Sequence, residues 1–391
     1  MVITLSTLQN MPKPIIFLVS FEYFPFQFGG LARHATEIIS RLSINPDYQA
    51  LIAVPFNYQK KLSKNIHTVK IHFYHAKYLS YLEFALKVYF SYIRPSNDSC
   101  FVFFSAFSYL FMPVLPHHYH LFIHNTLKRV LLTPYPGESW FSRLFRGFTY
   151  FYLSLYEYHL AQHSTSVFVV SPSTATDVQV HYEINANNIH LVPNGIDKQT
   201  FFPLSRSPKI FNYHLISVSR FVPRKNILDM ILLMRHLITL DKRYTLYLVG
   251  ETASQKYKNK IITAIRNYNL EPHVKIFPDV SDRKINALYS NSSLFIFTSL
   301  VEGFCLVALE ALNNGLPVIA YNTTALTDIV TNNRNGFLIQ PFDLSDFAAK
   351  IHSIALQPHL YTRLSHQALA TSHHYSWDNT ISLLKKLLPP V

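Results

Sequence analysis

The amino-acid sequence predicts an α/β protein built from two doubly wound, Rossmann-like domains. Its 391 residues are enough for two domains of ordinary size. Short apolar runs of strand length alternate with stretches whose apolar residues recur at the helical period. The alternation occurs twice, on either side of a turn-rich stretch. Alternation of this kind predicts parallel sheets covered by helices on both faces.

The first series of elements begins with PIIFLVS (14–20), which predicts a buried strand. Apolar residues recur at helical spacing over 31–42, so a helix is expected after this strand and a loop. Further strands are predicted at ALIAV (50–54), CFVFF (100–104), HLFIH (120–124), SVFVV (166–170) and IHLV (189–192). These elements predict a first domain over residues 1–200.

The stretch 193–213 separates the two series. It contains an Asn-Gly turn signal followed by Pro203 and Pro208, and we place the domain boundary within it, after residue 200. A second domain is predicted over 201–372, and 373–391 predict a last helix that packs back towards the first domain. The predicted strands of the second domain are HLISVS (214–219), YTLYLVG (244–250), HVKIF (273–277), SLFIFTS (293–299), PVIAY (317–321) and GFLIQ (336–340). We expect the two domains to face each other across a cleft that binds ligands.

The amino-acid composition limits the classes of protein to which this chain can belong. Apolar residues make up 49% of the chain, which allows a large core and argues against wholesale disorder. The net charge of +13 favours anionic partners such as phosphates or acidic lipids, but no arginine-rich run indicates a nucleic acid. Two cysteines without metal-ligand spacing favour a reducing cytosol. No run reaches the ~18 apolar residues of a membrane span, and the first residues lack a signal-peptide pattern.

The aromatic segment WFSRLFRGFTYFYLSLYEYHL (140–160) allows two interpretations. It is a helix packed in a core, which is the more common outcome, or it contacts a membrane surface. We therefore expect a cytoplasmic protein and leave open a peripheral contact with the inner face of an anionic membrane.

Two glutamates stand in the otherwise apolar segment SLVEGFCLVALEALNNGLPVIA (299–320). Glu302 lies in the predicted turn after a strand, and Glu310 lies eight residues further along the predicted helix. Eight helical steps span roughly 12 Å, which is the order of length between ribose and sugar ring in a nucleoside diphosphate sugar. Carboxylates accept hydrogen bonds from hydroxyls, and the helix N-terminus between them suits phosphates. Two ordinary surface glutamates would show the same spacing.

Two further motifs suit a diphosphate. SVSRFVPRKN (217–226) follows a predicted strand and places Arg220 and Lys225 at the start of the next helix. FEYFPFQFGGLARHATEII puts Gly29 and Gly30 between a strand and a helix, where a backbone without side chains can approach a phosphate closely. Each motif alone is common, since basic residues often lie near strand ends and glycine pairs often form plain turns.

The combination of these motifs resembles the GT-B glycosyltransferases of the large retaining family 4. The family's donor-domain signature resembles E-G-F-G-L-x-x-L-E-A-x-x-x-G-x-P-V, and this chain has EGFCLVALEALNNGLPV. The resemblance covers nearly the whole chain but is poor over 55–118. Seven of the nine glycines stand where the family pattern also has glycine, at positions 29, 30, 195, 250, 303, 315 and 336.

The resemblance implies a role for each of these residues. Glu302 would contact the transferred sugar, and so would His124 at the end of the strand in HLFIHN; these two are the predicted catalytic residues. The alternative for His124 is a satisfied polar residue at a strand end. Glu310 would bind the ribose hydroxyls. The other predicted donor-binding residues are Gly29, Gly30, Arg220, Lys225, Gly303, Phe304, Cys305 and Leu306. Glu157 and Ser171 also match the family, with structural or hinge roles expected.

Three positions depart from the family pattern. Cys305 stands where the family usually has glycine, Thr323-Thr324 lie near a pair that commonly contains glycine, and Asp328 replaces a glutamate. In the family this loop lies beside the donor sugar, so the identity of the donor does not follow from the resemblance. The acceptor does not follow either, because the loops of the first domain match no known pattern.

The implied function is the transfer of a sugar from a nucleoside diphosphate sugar to a hydroxyl of a glycan or lipid-linked acceptor, with retention of configuration. The pathway expected is cell-envelope or polysaccharide biosynthesis. The sequence has no D-x-D motif and no acidic triad, so we expect neither a metal ion nor another cofactor. Two alternatives stay open: a sugar-nucleotide epimerase or hydrolase of the same two-domain plan, and a non-catalytic nucleotide-binding or membrane-scaffold protein.

Overall fold

A computed structural model describes residues 15–390, apart from 24, 26–28, 61, 75–76, 96–98, 111, 137–139 and 197–209. The described residues form two compact units. The first unit comprises residues up to 131, residues 146–194 and residues from 377 onwards, and the second comprises 132–145 and 195–376. The predicted boundary after residue 200 lies outside the described residues, and the predicted division of the chain stays a prediction.

The first unit is organised around a parallel sheet of seven strands. The strands are β1 (Ile16–Ser20), β2 (Tyr48–Pro55), β3 (Ile66–Ile71), β4 (Cys100–Phe103), β5 (Tyr119–Ile123), β6 (Ser166–Val169) and β7 (Ile189–Leu191). Their order in the sheet is β3-β2-β1-β4-β5-β6-β7, and every neighbouring pair is parallel. The strand order therefore reverses between β1 and β4, as it does in a doubly wound sheet.

The second unit contains a parallel sheet of six strands. The strands are β8 (His214–Val218), β9 (Thr245–Gly250), β10 (Val274–Pro278), β11 (Leu294–Phe297), β12 (Val318–Tyr321) and β13 (Gly336–Ile339). Their order is β10-β9-β8-β11-β12-β13, again with parallel neighbours throughout. In this sheet the strand order reverses between β8 and β11, so the loops after these two strands flank the point of reversal.

Helices connect the strands of both units. They are α1 (Gly30–Leu42), α2 (Lys77–Val88), α3 (Ala106–Tyr109), α4 (Leu127–Leu132), α5 (Trp140–Gln162), α6 (Pro172–Tyr182), α7 (Ile227–Leu240), α8 (Gln255–Asn267), α9 (Asp282–Ser290), α10 (Leu306–Asn313), α11 (Leu326–Ile329), α12 (Leu344–Ala355), α13 (Pro358–Ser372) and α14 (Trp377–Leu387). A π-helical turn, Tyr89–Ile93, extends α2. None of the helices that the structure describes is long and apolar enough to cross a membrane.

The sheet of the first unit is covered on both faces, which explains why its strands are continuous apolar runs. On one face, buried residues of α2, α3, α5 and α6 share a single apolar core with the strands. On the other face, α14 packs against α1, and the Trp377 ring lies 6.3 Å from the His34 ring. The first residues of the last helix therefore belong to the core of the first unit, although they follow the second unit in the chain.

The predicted α/β class with two doubly wound parallel sheets is confirmed. The predicted strands are present, with ends that differ by one or two residues. One strand, β3, was not predicted. It lies at the edge of the sheet beside β2 alone, so it is buried on few sides and carries the polar residues His67, Thr68 and Lys70. An edge strand of this composition has no continuous apolar run by which to recognise it.

Candidate active site

Three neighbouring strands of the second sheet bring three loops to one edge. Because β8, β11 and β12 are adjacent and parallel, the segments that follow their carboxyl ends meet there. These segments are 219–226, 298–305 and 322–325. The first two contain most of the residues that the sequence predicts to bind the donor.

Threonine hydroxyls fix the loop after β11 to both of its neighbours. The Thr298 hydroxyl donates to the backbone carbonyl of Lys225 at 3.2 Å, which joins this loop to the loop after β8. The Thr323 hydroxyl donates to a backbone carbonyl of the loop after β11 at 2.8 Å. The Thr324 hydroxyl accepts from the backbone N–H of Glu302 at 2.8 Å. The position of Glu302 is therefore set by two adjacent loops.

The side chains of Lys225 and Glu302 form a buried ion pair. The Lys225 ammonium donates a hydrogen bond to Glu302 Oε1, and the Ser299 hydroxyl donates to the same oxygen at 2.5 Å. The Arg224 guanidinium lies 3.6 Å from this oxygen and donates to the backbone carbonyl just before Glu302 at 3.0 Å. Lys225 also lies over the Phe297 ring, 5.0 Å from its centroid. The structure thus brings two of the predicted residues together and adds two residues that were not predicted.

Burial and charge act in opposite directions on this pair. Burial lowers the pKa of Lys225 to about 8, and the positive charge of Arg224 adds to the shift, while the carboxylate of Glu302 opposes it. Burial raises the pKa of Glu302, but the charges of Lys225 and Arg224 outweigh it and hold this pKa below its usual value. Both groups are therefore ionised at neutral pH, although the pKa of Lys225, at about 8, is not far above it.

The turn between β11 and α10 has an unusual backbone. Cys305 caps α10 with φ 67° and ψ 62°, which is the left-handed region that favours glycine. Gly303, Phe304 and Cys305 are buried, and Leu306, the first residue of α10, is half-buried. The Phe304 ring packs edge-on against Tyr375 with centroids 5.6 Å apart. Cys305 thus occupies a left-handed backbone conformation, which explains why the family usually has glycine at this position.

Glu310 is buried on α10, with 6% of its surface exposed, and Glu302 is 8% exposed. The Tyr289 hydroxyl, from α9, donates to Glu310 Oε2 at 3.3 Å. Neither residue is an ordinary surface glutamate, so that alternative is excluded. Arg220, by contrast, is exposed at the beginning of the segment after β8.

The remaining predicted site residues lie in the first unit. Gly29 precedes α1 with φ 113° and ψ 177°, a conformation that L-residues with side chains rarely adopt, and Gly30 is the first residue of α1. His124 follows β5 at its carboxyl end, where its backbone carbonyl accepts from the Thr174 hydroxyl at 3.0 Å. The glycines and His124 thus lie beyond the ends of β1 and β5, the edge where parallel sheets bind ligands.

The ring of His124 meets the ring of His34 at right angles, with centroids 4.5 Å apart. His34 Nδ1 is 2.5 Å from the side-chain oxygen of Asn194. The Nε2 atoms of both histidines are buried and have no hydrogen-bond partner in the described part of the chain. Burial lowers the pKa of His34 to about 4, and burial together with His34 lowers the pKa of His124 well below its usual value. Both rings are neutral at pH 7, and the Nε2 atom of His124 is left without a partner among the residues that the structure describes.

Glu157 and Ser171 have structural roles. Glu157 is buried on α5 and accepts hydrogen bonds from the hydroxyls of Tyr109 (2.6 Å) and Tyr182 and from the backbone N–H of Leu127 (2.8 Å). Ser171 caps the N-terminus of α6. These contacts join α5 to α3, α4 and α6, so Glu157 stabilises the first unit.

Sequence reasoning missed three residues of these clusters. Arg224 stands next to Lys225 in the sequence. The prediction paired Lys225 with Arg220, five residues earlier, and did not consider Arg224. Ser299 is the last residue of the predicted strand SLFIFTS, and its side chain was not considered. His34 follows the glycine pair on α1, where its four-residue spacing from Gly30 places it one helical turn further along, and this signal was available.

No group of three His, Cys, Asp or Glu residues within the described ranges is placed to hold a metal ion. The chemical character of the cluster in the second unit is cationic at its centre, with Lys225 and Arg224 beside a single carboxylate. Such a set suits the recognition of phosphate or another anion.

Two protein-family models match consecutive parts of the chain. The model described as Glycosyltransferase Family 4 matches residues 28–200, and the model described as Glycosyl transferases group 1 matches residues 207–370. Together with the two doubly wound sheets, these matches define the class of protein. The chain belongs to the glycosyltransferases of the GT-B fold.

Individual relatives are distant. The chain is 24% identical over 238 residues to MMP alpha-(1->4)-mannosyltransferase of Mycolicibacterium hassiacum, which covers 59% of this chain and 56% of that protein. It is 26% identical over 235 residues to the capsular polysaccharide biosynthesis glycosyltransferase CapM of Staphylococcus aureus, which covers 56% of this chain and 60% of that protein. The match therefore spans little more than half the length of these curated relatives.

A solved structure resembles nearly the whole chain. Alr3699/HepE of Anabaena, in complex with UDP and glucose, superposes with a TM-score of 0.72 at 17% sequence identity and covers 96% of this chain and 99% of that one. At this identity the likeness shows the fold alone. The predicted family resemblance and the predicted GT-B fold are confirmed, while the roles of individual site residues stay predictions.

Proposed function

We propose that this chain transfers a sugar from a nucleoside diphosphate sugar to an acceptor hydroxyl, with retention of configuration and without a metal ion. The observation that carries the proposal is the buried Lys225–Glu302 pair, flanked by Arg224, at the carboxyl edge of the second sheet. This cluster offers positive charge for a diphosphate and a carboxylate for sugar hydroxyls within one side-chain length of each other.

Charge changes during transfer explain the need for this cluster. When the bond from the sugar C1 to the phosphate oxygen breaks, negative charge develops on the diphosphate and positive charge on the oxocarbenium-like ring. An ammonium group has three N–H donors, so Lys225 can bind a phosphate oxygen while it keeps its bond to Glu302. Lys225 and the exposed Arg220 would stabilise the departing diphosphate. The acceptor hydroxyl attacks C1 from the same face and gives its proton to the departing phosphate oxygen.

The carboxylates and the histidine would orient the donor. Glu302 would accept hydrogen bonds from hydroxyls of the transferred sugar, and Glu310 from those of the ribose, as the resemblance implies. His124 is neutral and has a buried ring nitrogen without a partner in the described part of the chain, so it can bind a hydroxyl of the transferred sugar without adding charge. Gly29 and Gly30 would let the backbone approach the phosphates.

The relatives support classes of donor and acceptor. The Anabaena neighbour was solved with UDP and glucose, and the two curated relatives are a mannosyltransferase and a glycosyltransferase of capsular polysaccharide biosynthesis. We therefore favour a hexose donor and an acceptor that is a glycan or a lipid-linked saccharide of the cell envelope. A lipid-linked acceptor would place the reaction in the cytoplasm at the inner face of a membrane.

A panel of UDP-, GDP- and ADP-sugars tests the donor. Ligand stabilisation grows with the ratio of concentration to dissociation constant, so a donor present at 100 times its Kd adds roughly 2.7 kcal/mol to the free energy of unfolding. The expected result is a rise in melting temperature with one nucleotide class, accompanied by slow release of sugar. Unchanged melting temperatures with every member of the panel would contradict the proposal.

Matched variants test the assigned residues. Lys225→Ala and Arg220→Ala are expected to abolish transfer while the protein stays folded, because the developing charge on the diphosphate is left without its cations. Lys242→Ala is the control, since Lys242 is exposed and precedes β9, at the opposite edge of the same sheet. Unchanged turnover in the first two variants would reject the roles assigned to them.

The products distinguish the alternatives. Epimerised or hydrolysed donor in the absence of any acceptor would indicate an epimerase or hydrolase. Saturable donor binding without release of sugar, whichever acceptor is added, would indicate a non-catalytic nucleotide-binding protein.

A further inference from the structure

Helix α5 exposes a continuous apolar face. Its exposed large apolar side chains, which we call the aromatic face of α5, are Trp140, Phe141, Leu144, Phe145, Phe148, Phe151, Tyr152, Leu155 and Tyr156. They recur every three or four residues, so they lie on one side of the helix. The face extends from Phe141 to Tyr156 over fifteen helical steps, or about 22 Å.

The opposite side of α5 contacts the core of the first unit. Ser154, Glu157, Leu160 and Ala161 are buried, and the last two belong to the apolar core that packs on the sheet. The aromatic face therefore points away from the sheet. The segment thus packs on a core by one side, as the more common interpretation expects, while Trp140 and Phe148 on its other side are 76% and 64% exposed. Exposed apolar surfaces of this extent mark sites of interaction.

Helix α2 and the turn that extends it add a second exposed stripe. Leu79, Leu82, Leu86 and Phe90 are exposed and again recur at helical spacing. The buried residues of α2 and α5 belong to the same core, so both helices cover the same face of the first sheet. Their outward sides consequently point to the same side of the first unit, which makes the apolar surface wider than one helix.

The charges of α5 are complementary to an anionic surface. Its only acidic residue is Glu157, which is buried and hydrogen-bonded, whereas Arg143 is exposed among the aromatic side chains. The chain as a whole carries a net charge of +13. Trp and Tyr have an apolar body and a polar tip, which suits the boundary between headgroups and acyl chains.

We propose that the aromatic face of α5 docks on a lipid bilayer that contains anionic phospholipids, with the helix lying in the plane of the interface. Such helices combine a large apolar face with basic residues and insert only as deep as the boundary between headgroups and acyl chains.

A second copy of this chain is a poorer occupant of the aromatic face. Two copies would bring together equal net charges of +13, which repel each other. A self-complementary contact through α5 would also leave Arg143 without an acidic residue of the facing α5, because the one carboxylate of this helix is buried. The bilayer supplies the negative charge that a second copy lacks.

The docking surface refines the membrane location within the proposed function, but its test needs no sugar donor or acceptor. A protein that binds vesicles and transfers no sugar would disprove the proposed function alone. A protein that transfers sugar but does not bind vesicles would disprove the proposed docking surface alone.

Tryptophan fluorescence of the unmodified protein can report whether α5 binds lipid. The chain has two tryptophans: Trp140 is 76% exposed at the start of α5, and Trp377 is 3% exposed in the core of the first unit. On addition of vesicles of phosphatidylcholine with phosphatidylglycerol, tryptophan emission is expected to shift to shorter wavelength and to be quenched by brominated acyl chains. The Trp140→Phe variant should lose this response. Emission that does not change with lipid would overturn the proposal, and so would a response that persists in the variant.

Vesicle flotation measures the affinity. Phe148→Ser/Leu155→Ser is expected to weaken partitioning roughly tenfold or more, because two large side chains no longer leave water. Ile44→Ser/Leu356→Ser is the matched control, since these residues are 81% and 63% exposed and lie outside α2 and α5; it should bind as the unmodified protein does. Circular dichroism confirms that each variant is folded.

Three results, two from flotation and one from the oligomeric state in solution, would overturn the proposal. The first is unmodified protein that stays unbound with either lipid composition or binds pure phosphatidylcholine equally well. The second is equal binding of the two double variants. The third is an unmodified protein that dimerises in solution and becomes monomeric in Phe148→Ser/Leu155→Ser, which would identify a second copy as the occupant.

Discussion

The ammonium group of Lys225 donates a hydrogen bond to the carboxylate of Glu302, 77 positions further along the chain. Adjacent parallel strands β8 and β11 make this contact possible, because the loops that follow them share one edge of the sheet. Removing two charges from water costs several kcal/mol each. Here the cost is offset by their mutual attraction, by the hydrogen bond from Ser299 and by the positive charge of Arg224, which lies 3.6 Å from the carboxylate. This relationship explains why an apolar segment carries a glutamate.

Breaking the ion pair from one side should destabilise the protein more than removing both charges. Lys225→Met leaves the buried carboxylate of Glu302 without its nearest cation and is expected to lower the free energy of unfolding by about 3 kcal/mol. In Lys225→Met/Glu302→Gln no uncompensated charge remains, so the loss should be smaller than in the single variant. Urea denaturation measures both values. A double variant that loses the sum of the two single effects would show that the side chains act independently.

The activity should fall at alkaline pH with an apparent pKa of about 8. Burial lowers the pKa of Lys225, so this residue is a cation below about pH 8 and neutral above it. Attraction for the diphosphate is therefore present at low pH and lost as the pH rises through this value. The pH profile of kcat/KM reports the free protein and is the measurement required.

Lys225→Arg is the control for this assignment. A guanidinium stays charged far beyond pH 10, so whatever activity the variant keeps should lack the alkaline fall. A profile of the unmodified protein that stays flat to pH 10, or a fall at pH 8 that persists in Lys225→Arg, would show that another group titrates.

Local patterns in the sequence were enough to predict both sheets and the strand ends that carry Lys225 and Glu302. They were not enough for the contact between these residues, because it depends on which strands become neighbours. The same limit applies to His34 and His124, which come from α1 and the end of β5 and meet only after folding. The hydrogen bond from Tyr289 of α9 to Glu310 of α10 likewise forms only after folding. Periodicity in the sequence predicts helices and strands, whereas a functional site depends on which helices and strands become neighbours after folding.

The two faces of α5 show another limit of prediction from the sequence. The segment 140–160 is rich in aromatic and leucine residues, and its composition alone did not reveal which side is buried. The buried side carries Glu157, which is hydrogen-bonded to Tyr109, Tyr182 and Leu127. The inward side therefore became clear only from the packing of the folded chain.

Loss of the Glu157 carboxylate should destabilise the first unit. Glu157→Ala leaves two buried hydroxyls and a buried backbone N–H without their acceptor, and an unsatisfied buried group costs about 1–3 kcal/mol. We expect a loss of about 3 kcal/mol or more in the free energy of unfolding. Glu157→Gln keeps one acceptor oxygen and should lose less. Urea denaturation of both variants tests this order, and equal losses would show that packing volume, not hydrogen bonding, is what Glu157 contributes.

Cys305 should tolerate glycine and reject a β-branched residue. Its φ of 67° costs a residue with a side chain about 1–3 kcal/mol, and glycine removes this strain. Glycine also gains freedom in the unfolded chain, worth about 0.5–1 kcal/mol, and it loses the packing of a buried thiol. These effects oppose each other, so Cys305→Gly should change the free energy of unfolding by about 1 kcal/mol or less.

Valine has two substituents on Cβ, for which the left-handed region is a genuine outlier. Cys305→Val is therefore expected to lower the free energy of unfolding by about 2 kcal/mol or more. It should also weaken donor binding, because α10 begins at the next residue and the Glu302 backbone lies three positions before the cap. Cys305→Ser controls for loss of sulfur with the same branching as cysteine and should resemble the unmodified protein. Thermal unfolding with and without the donor separates the two effects, and a valine variant as stable as the serine variant would mean that the turn relaxes without strain.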